Sequence, residues 1–348
     1  MEFLNEYKES LKGVTYIDLF AGIGGFHTAM KAFGATCVFA SEWDKHAQTT
    51  YVENYGMMPA GDITKIAAED IPTHDILCAG FPCQPFSISG KQKGFEDTRG
   101  TLFFDIARIT KHHMPKILFM ENVRNFATHD NGNTLKVVHE TLDEIGYNLS
   151  YDVLNASFFG LPQNRERIYM IAVRKDISSE TFSFPEPTYE QVMLKDILLS
   201  DEETEQYVIE RDDMTIDTSK IPELSLFEDY PLKPIRIGTI NKGGQGERIY
   251  SEYGHAVTLS AHGGGPGSKT GCYYVNGRVR KLAPRECARV QGFPDDFKIP
   301  VSDAQAWKQF GNSVPINVLK HILKSLVDTE EIYRHVRNEN IINKEVEI

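Results

Sequence analysis

The chain has 348 residues, 41% of them hydrophobic, which is enough to form a large domain and a smaller one with their own cores. Its charged start, residues 1–13, and the lack of any apolar run of about 18 residues argue against a signal peptide and a membrane span. The five cysteines show no CxxC spacing, which argues against a disulfide framework and a thiolate zinc site. We therefore expect a soluble cytoplasmic protein with reduced thiols and no bound metal.

The net charge of -12 argues, taken alone, against a nucleic-acid partner, but it hides a segregation of charge along the chain. Residues 200–230 contain eleven acidic and two basic residues, a net charge of -9. Residues 231–289 contain ten basic and three acidic residues, a net charge of +7, and are rich in glycine. Such a basic segment is typical of a surface that faces phosphates, although a solvated loop region with a chance bias would look the same.

Short apolar runs alternate with amphipathic helical patterns over roughly the first half of the chain. The predicted strands are residues 15–20, 36–40, 75–80, 116–122 and 167–173, and a helix is predicted over 134–145. This alternation predicts an α/β fold, a doubly wound Rossmann-like domain with a largely parallel sheet. Ligands of such sheets bind at the carboxyl ends of the strands, so the residues just after each strand are the functional candidates.

The alternation stops near residue 185. Pro185 and Pro187, the acidic stretch and the glycine-dense segments 242–250 and 261–271 predict a second, smaller domain. Residues 313–327 then place apolar side chains on one helical face, which predicts a helix that packs back on the large domain.

The first predicted strand runs into a glycine turn, Asp18–Phe26. The dinucleotide fingerprint G-x-G-x-x-G starts at Gly22 and Gly24 but fails at its third glycine, where the chain has His27. The turn still allows close approach of a ligand, and Glu42 after the second strand suits an adenosine ribose, whose hydroxyls a carboxylate accepts. This favours a nucleoside cofactor without pyrophosphate, for which S-adenosylmethionine is the obvious candidate. A purely structural glycine turn is the alternative.

Neighbouring residues fit the same cofactor. Phe20 and Trp43 are available to pack on an adenine ring. A further acidic and apolar pair, Asp62 and Ile63, favours the same interpretation.

Cys83 lies in the proline-bounded stretch FPCQPF, residues 81–86, just past a predicted strand. Proline stiffens this loop, so the thiol is expected at the carboxyl edge of the sheet. Forming a thiolate at pH 7 costs roughly 2 kcal/mol, which nearby cations would reduce. Cys83 is therefore a candidate nucleophile, with a buried structural cysteine as the alternative, whereas Cys37 and Cys78 lie within strands and are predicted to be structural.

Glu121 ends the fourth predicted strand and is a candidate acid. A carboxyl group there fits the Watson–Crick edge of a cytosine and donates a proton to N3 if burial raises its pKa. Arg165 and Arg167 are two residues apart and share a face if the segment is extended. Two cations there would anchor a phosphate and the base carbonyl and stabilise the thiolate; a plain surface pair is the alternative.

Methylation of carbon 5 of cytosine requires this set of groups, because that carbon is not nucleophilic. A thiolate that adds to C6 makes C5 enamine-like, an acid supports the charge at N3, and loss of the C5 proton releases the enzyme. The base must first be flipped out of its duplex.

Six motifs occur in an order and spacing that resemble the C5-cytosine DNA methyltransferases, and in particular the small bacterial HhaI-type modification enzymes. They are DLFAGIGGF, GFPCQPFS, FMENV, QNRERIY, RKLAPRECARVQGFPDDF and KQFGNSV. The resemblance covers nearly the whole chain. It implies Cys83 as nucleophile, Glu121 as the acid on the base, and Arg165 and Arg167 as supports of the pocket.

The resemblance also implies contacts with the cofactor, the DNA and the target sequence. The cofactor residues would be Phe20, Gly22, Gly24, Glu42, Trp43, Asp62, Ile63, Pro82, Leu102 and Asn312. The DNA contacts would be Ser87, Ser89, Lys91, Gln245, Arg248 and Thr258, with the loop 81–101 closing over the duplex. The implied target is GCGC in double-stranded DNA, although His262 stands where a tyrosine is expected.

The resemblance implies four parts of the chain and a set of partners. Residues 1–195 would form the catalytic and cofactor-binding domain, 196–283 the target-recognition domain, 284–311 a hinge, and 312–348 a C-terminal helix returning to the large domain. We expect a monomer whose functional partner is a cognate restriction endonuclease, without a stable complex.

Four other functions account for these residues less well. A cytosine deaminase needs a PCxxC zinc pair, and position 86 is Phe. A nicotinamide oxidoreductase is disfavoured by His27 and has no use for Cys83. A non-catalytic DNA-binding module would not require Cys83 and Glu121, and an RNA-methylating relative would share the motifs without the large recognition region.

Overall fold

Two β-sheets organise the chain, which the computed structural model describes over residues 3–82, 102–178, 181–222, 230–261, 266–267 and 270–337. The larger sheet contains β1 (Thr15–Leu19), β2 (Thr36–Ser41), β3 (Ile76–Gly80), β4 (Ile117–Val123), β5 (Tyr147–Asn155) and β6 (Glu166–Arg174). The smaller sheet contains β7 (Met214–Ile216), β8 (Arg236–Ile240), β9 (Arg248–Ser251), β10 (Cys272–Val275) and β11 (Arg278–Arg280).

Helices connect and cover these strands. Those in the first half of the chain are α1 (Leu4–Tyr7), α2 (Gly25–Ala32), α3 (Lys45–Tyr55), α4 (Leu102–His113) and α5 (Asn133–Ile145). Those in the second half are α6 (Asp201–Thr204), α7 (Pro284–Val290), α8 (Asp303–Asn312), α9 (Ile316–Asp328) and α10 (Glu330–Val336).

The larger sheet has the strand order β2-β1-β3-β4-β6-β5. Strands β1 to β4 run parallel to one another, whereas β6 lies antiparallel to both β4 and β5. The carboxyl ends of β1 to β4 therefore meet at one edge, together with the amino end of β6. The predicted doubly wound α/β fold is confirmed, and the five predicted strands of this sheet are present; β5 was not predicted.

Alternating side chains of the larger sheet fill cores on its two faces, as expected of strands buried on both sides. Tyr16 and Phe119 point to the face covered by α2 and α9, whereas Ile17, Leu118 and Met170 point to the face covered by α4 and α5. Helix α9 packs against α2, which begins at the glycine turn. The larger sheet and the helices on its two faces thus form three layers, and the site lies at one edge of the middle layer.

The smaller sheet has the order β11-β10-β9-β8-β7 and its own small core around Ile237, Ile249 and Val279. Only β9 and β10 pair in parallel among its described strands. The four-part division of the chain stays a prediction.

Within the described parts of the chain, no helix combines the length and the apolar character needed to cross a membrane.

Candidate active site

The pairing of β4 with β6 brings the predicted acid and an arginine together. Glu121 is opposite Tyr169, and Val123 is opposite Arg167, in the antiparallel register. Because β6 starts where β4 ends, the motif that precedes β6 lies at the carboxyl edge of the sheet. Two motifs that are more than 40 residues apart in sequence thus meet at one place.

Glu121 is only 7% exposed, and its Oε1 lies 3.1 Å from Nε of Arg167. Burial raises the pKa of Glu121, while Arg167 and Arg165 act in the opposite direction. Arg167 also donates from Nη1 to the carbonyl of Glu166 at 2.8 Å. The carboxyl group is therefore held in place in an environment that favours a proton more than water does.

Arg165 is placed differently from Arg167, since it is 1% exposed and its guanidinium donates to backbone carbonyls. It donates to Leu259 O at 3.0 Å, Gly311 O at 3.0 Å and Ser313 O at 2.6 Å. Burial lowers the pKa of Arg165 to about 9, so it stays charged at neutral pH. Its hydrogen bonds connect the end of α8 and the segment after β9 to the edge of the sheet. Arg165 therefore stabilises the backbone around the site and leaves Arg167 as the partner of Glu121.

The glycine turn lies beside Glu42. Gly22 and Gly24 have φ values of 56° and 84°, which favour glycine, and Phe20 has a φ of 57°. Glu42 follows β2 directly, and its Oε2 accepts the N–H of Gly22 at 2.8 Å while its Oε1 accepts the N–H of Asp44 at 2.8 Å. The carboxylate therefore fixes the turn and the start of α3 together.

The next acidic residue along this edge, Asp62, caps a short 3₁₀ turn. Its Oδ1 accepts the Thr64 hydroxyl at 2.8 Å, and this hydrogen bond lowers the pKa of Asp62. Ile63 is 3% exposed, and its carbonyl accepts from Arg108 at 2.6 Å. Both residues are thus locked in place by local contacts.

Packing joins the turn, the acid and the segment around Asn312. A Cβ at Gly80, the last residue of β3, would lie 3.6 Å from Oε2 of Glu121 and 3.6 Å from Val314. A Cβ at Gly25 would also meet Val314. The end of β3, two residues before the exposed Pro82, therefore touches the segment that follows Asn312.

Leu102 begins α4 and is half-buried, and Asn312 ends α8 and is exposed. The remaining predicted positions Cys83, Ser87, Ser89, Lys91 and His262 lie outside the described residues.

A cleft of about 480 Å³ links the strand edge to the smaller sheet. Gln245, Arg248 and Thr258 line it together with Arg167. The Thr258 hydroxyl donates to Asn164 O at 2.5 Å, which ties the segment after β9 to the motif before β6. The structure thus brings three predicted DNA contacts and one predicted catalytic residue around a single space.

A family model described as C-5 cytosine-specific DNA methylase matches residues 14–328. The chain belongs to this family. It is 57% identical to the Type II methyltransferase M.HhaI of Haemophilus parahaemolyticus, over 90% of this chain and 94% of the relative. It is 42% identical to the Type II methyltransferase M.HpaII of Haemophilus parainfluenzae, over 90% of this chain and 89% of the relative.

Solved structures show the same fold at low identity. The S. pombe Dnmt2 methyltransferase superposes with a TM-score of 0.67 at 20% identity, covering 90% of this chain and 98% of that one. A putative DNA modification methyltransferase encoded within an E. coli prophage gives a TM-score of 0.62 at 23% identity, covering 91% and 99%.

Membership of this family makes the chain an enzyme, a cytosine-5 DNA methyltransferase with S-adenosylmethionine as methyl donor and DNA as substrate. The deaminase, the nicotinamide oxidoreductase and the non-catalytic module are thereby excluded, and the predicted cofactor is confirmed.

The residues present fit this cofactor. Trp43 is 79% exposed beside Glu42, an unusual position for a large apolar side chain. Asp18 at the end of β1 is 1% exposed, and neither carboxylate oxygen has a hydrogen-bond partner in the described structure. Burial raises the pKa of this carboxyl group, while the backbone of His27 acts in the opposite direction.

The sequence interpretation missed Asp18 and two cleft residues. Asp18 was detectable as an acid at the end of an otherwise apolar strand. Arg124 and Glu166 line the cleft as an ion pair, and Arg124 is largely exposed there. No local pattern distinguishes them from ordinary surface charges.

Proposed function

We propose that this methyltransferase modifies C5 of a flipped-out cytosine in a short duplex target, GCGC, through a covalent bond between Cys83 and C6. The observation that carries the proposal is the shared cleft, in which Arg167, already paired with Glu121, faces Gln245 and Arg248. Glu121, which would bind the target base, thus lies near Gln245 and Arg248, which would contact the flanking duplex. The 57% identity to M.HhaI supports the same target.

The chemistry is divided among the chain's own residues. The Cys83 thiolate adds to C6. The π electron pair of the C5–C6 double bond then shifts to C5 and, by conjugation, toward N3. The raised pKa of Glu121 allows its carboxyl group to share a proton with N3, which stabilises the charge that develops there. After C5 has formed a bond to the methyl group that bound S-adenosylmethionine would supply, loss of the C5 proton restores the double bond as the sulfur leaves C6.

S-adenosylmethionine, when bound, supplies an electrophilic methyl group. The residues that would hold it are Glu42 at the ribose hydroxyls, Phe20 and Trp43 at the adenine, and the turn that contains Gly22 and Gly24. Asp62, Ile63, Pro82, Leu102 and Asn312 would complete the site.

The recognition surface would read the target from the major groove. Arg248 is exposed in the cleft, and an arginine can contact guanine through two hydrogen bonds. Gln245 is exposed in a 3₁₀ turn just before it, placed to enter the duplex as the cytosine leaves. Thr258, Ser87, Ser89 and Lys91 would contact the backbone, and Ser89 would enter the duplex with Gln245.

The proposal also includes the enzyme's location, oligomeric state, partner and division into parts. We place the enzyme in the cytoplasm as a monomer that protects DNA against a cognate restriction endonuclease without forming a stable complex with it. Residues 1–195, 196–283, 284–311 and 312–348 would be its four parts.

Bisulfite sequencing of plasmid DNA from cells that express this chain, beside a Cys83→Ser variant, tests the proposal. We expect one protected cytosine in every GCGC with the wild-type chain, and no protection with the variant, because a hydroxyl is a far weaker nucleophile than a thiolate. S-adenosylmethionine binding by the purified variant shows that it is folded.

Three outcomes would contradict separate parts of the proposal. Near-normal protection by Cys83→Ser would refute the covalent mechanism. Protection at another sequence would refute the GCGC target, and protection in RNA rather than DNA of the same cells would refute the duplex substrate.

A further inference from the structure

Two buried aromatic side chains, His27 and Tyr51, and the half-buried Tyr55 form a cluster behind the glycine turn; we call them the aromatic cluster. The imidazole ring of His27 stacks on Tyr55 with a centroid distance of 3.9 Å and an interplanar angle of 19°. Its Nδ1 lies 2.7 Å from the hydroxyl of Tyr51, and the rings of Tyr51 and Tyr55 are 4.7 Å apart. His27 is the residue that breaks the dinucleotide fingerprint, so the position has another use here.

The two inner members of the cluster are shielded from water, and the cluster is uncharged. Tyr51 is fully buried, and His27 is 9% exposed. Burial lowers the pKa of His27 to about 4, so the imidazole is neutral at physiological pH. The neutral ring of His27 is held by its hydrogen bond to Tyr51 and stacks on Tyr55, so the ring of Tyr55 has little freedom to rotate.

Tyr55 contacts the glycine turn directly through its hydroxyl. This group donates to the carbonyl of Gly24 at 2.8 Å and lies 2.7 Å from the hydroxyl of Thr28. Its ring also occupies the space in which a Cβ at Gly24 would lie, since that atom would be 2.2 Å from Cε2 of Tyr55. The hydroxyl and the ring therefore both act on one residue of the turn.

The turn is thus held on two sides. Glu42 holds the N–H of Gly22 on one side, and Tyr55 holds the carbonyl of Gly24 on the other. Between them, the turn closes on itself through the bond from Gly24 N–H to Ala21 O at 2.8 Å. Glu42 lies just before α3 and Tyr55 is the last residue of α3, so one helix carries both ends of the support.

We propose that Tyr55 is a positioning residue for S-adenosylmethionine: through its hydrogen bond to Gly24, it keeps the glycine turn in the conformation that receives the cofactor. This inference rests on the proposed function, which places the cofactor at that turn. The role is indirect, because Tyr55 acts through Gly24 and need not touch the cofactor itself.

The test replaces one oxygen atom. Tyr55→Phe keeps the stacked ring and removes the hydrogen bond to Gly24, so we expect the Kd for S-adenosylmethionine, measured by calorimetry on the purified full chain, to rise roughly fivefold. The KM for the cofactor should rise by a similar factor while kcat changes less than about twofold, because the reacting groups are untouched.

Tyr147→Phe is the matched control. Tyr147 is also buried and donates its hydroxyl to a backbone carbonyl, that of Pro115, at 2.5 Å, but it lies in β5 away from the turn. It should lower thermal stability as Tyr55→Phe does and leave the Kd for the cofactor unchanged. A Kd for Tyr55→Phe equal to that of wild type, or an equal rise in Tyr147→Phe, would overturn the inference.

Glu42→Gln separates this inference from the proposed function. If Glu42→Gln loses cofactor affinity while Tyr55→Phe does not, the positioning role is refuted and the placement of the cofactor survives. If Glu42→Gln binds the cofactor normally, the placement fails, and the inference fails with it.

Discussion

At the scale of single residues, Glu121 shows how burial changes the proton affinity of a carboxyl group. A carboxyl group in water is ionised at neutral pH, whereas burial against β3 raises the pKa of this one. Arg167 keeps the group oriented and limits the rise. The pair therefore combines a defined position with a proton affinity suited to a ring nitrogen.

Glu121→Gln should lower kcat by about 10²–10⁴-fold, because an amide cannot share a titratable proton with N3. The Kd for S-adenosylmethionine should stay within about twofold, since the glycine turn is unchanged. Steady-state kinetics and calorimetry on the same preparation measure both quantities.

Glu286→Gln is the matched control for this variant. Glu286 is fully buried and paired with Arg280 through two hydrogen bonds of 2.8 Å, so its replacement also leaves a buried arginine without its carboxylate. Loss of that pairing is expected to cost about 3 kcal/mol of stability without an effect on kcat of the folded enzyme. Equal kcat losses in the two variants would show that Glu121 acts only through stability.

The structure gives the two arginines different contacts, which their spacing in the sequence did not predict. Spacing predicted that Arg165 and Arg167 share a face, and both do reach the strand edge. Spacing does not reveal which carbonyls of distant segments approach an arginine, so the three partners of Arg165 could not be foreseen. The same limit applies to Tyr55, whose partner Gly24 is 31 residues away.

At the scale of elements, the glycines that precede α2 and α5 share the same φ angle but have different surroundings. Gly24 and Gly132 are the N-cap residues of these helices, and both have a φ of 84°. A Cβ at Gly132 would meet nothing within 4 Å, whereas one at Gly24 would meet the ring of Tyr55.

Gly132→Ala should cost about 1 kcal/mol of stability through backbone strain alone. Gly24→Ala should add a further cost of roughly 1–3 kcal/mol, because the methyl group displaces Tyr55. Urea unfolding of the two variants gives the difference, and calorimetry should show weakened cofactor binding for Gly24→Ala only. Equal losses of stability would mean that Tyr55 moves aside freely.

The strands were predictable where burial on both faces made them continuously apolar. β3 and β4 are almost wholly buried and were found within one or two residues of their observed ends. β5 was missed because it is an edge strand, with Tyr151 half exposed and Asp152 exposed beside it. The strands of the smaller sheet are three to five residues long, too short for a periodic pattern to indicate them.

At the scale of the whole molecule, buried histidines couple stability to pH. Burial lowers the pKa of His27, His74, His255 and His321 to about 4 in each case. The unfolded chain binds protons at these sites below about pH 6.5, while the folded chain does not until about pH 4. Each of these histidines therefore lowers the free energy of unfolding of the protein as the pH falls through this window. Asp18, Glu42 and Glu121, whose pKa values are raised, act in the opposite sense.

A single substitution isolates one of these sites. His321 is packed between Phe3 and Phe159, and its Nε2 has no partner in the described structure. Between pH 7 and 5, the free energy of unfolding of His321→Leu should fall by about 2 kcal/mol less than that of wild type. Urea unfolding at both pH values measures this difference.

His46→Gln is the control for the pH experiment, because His46 is exposed on α3 and its surroundings change little on unfolding. It should show the same pH dependence as the wild-type chain. If His321→Leu also followed the wild type, the imidazole of His321 would have to be protonated in the folded state.

The exposed indole beside Glu42 gives the molecule an optical property of its own. The chain contains two tryptophans, and the second, Trp307, has its indole N–H fixed to Leu282 O at 3.0 Å. Trp43, at 79% exposure, is the one whose surroundings would change if the cofactor's adenine covered it, as the proposed function expects. Its fluorescence would then report occupancy of the cofactor site in the unlabelled protein, so that binding could be followed in real time and apart from catalysis.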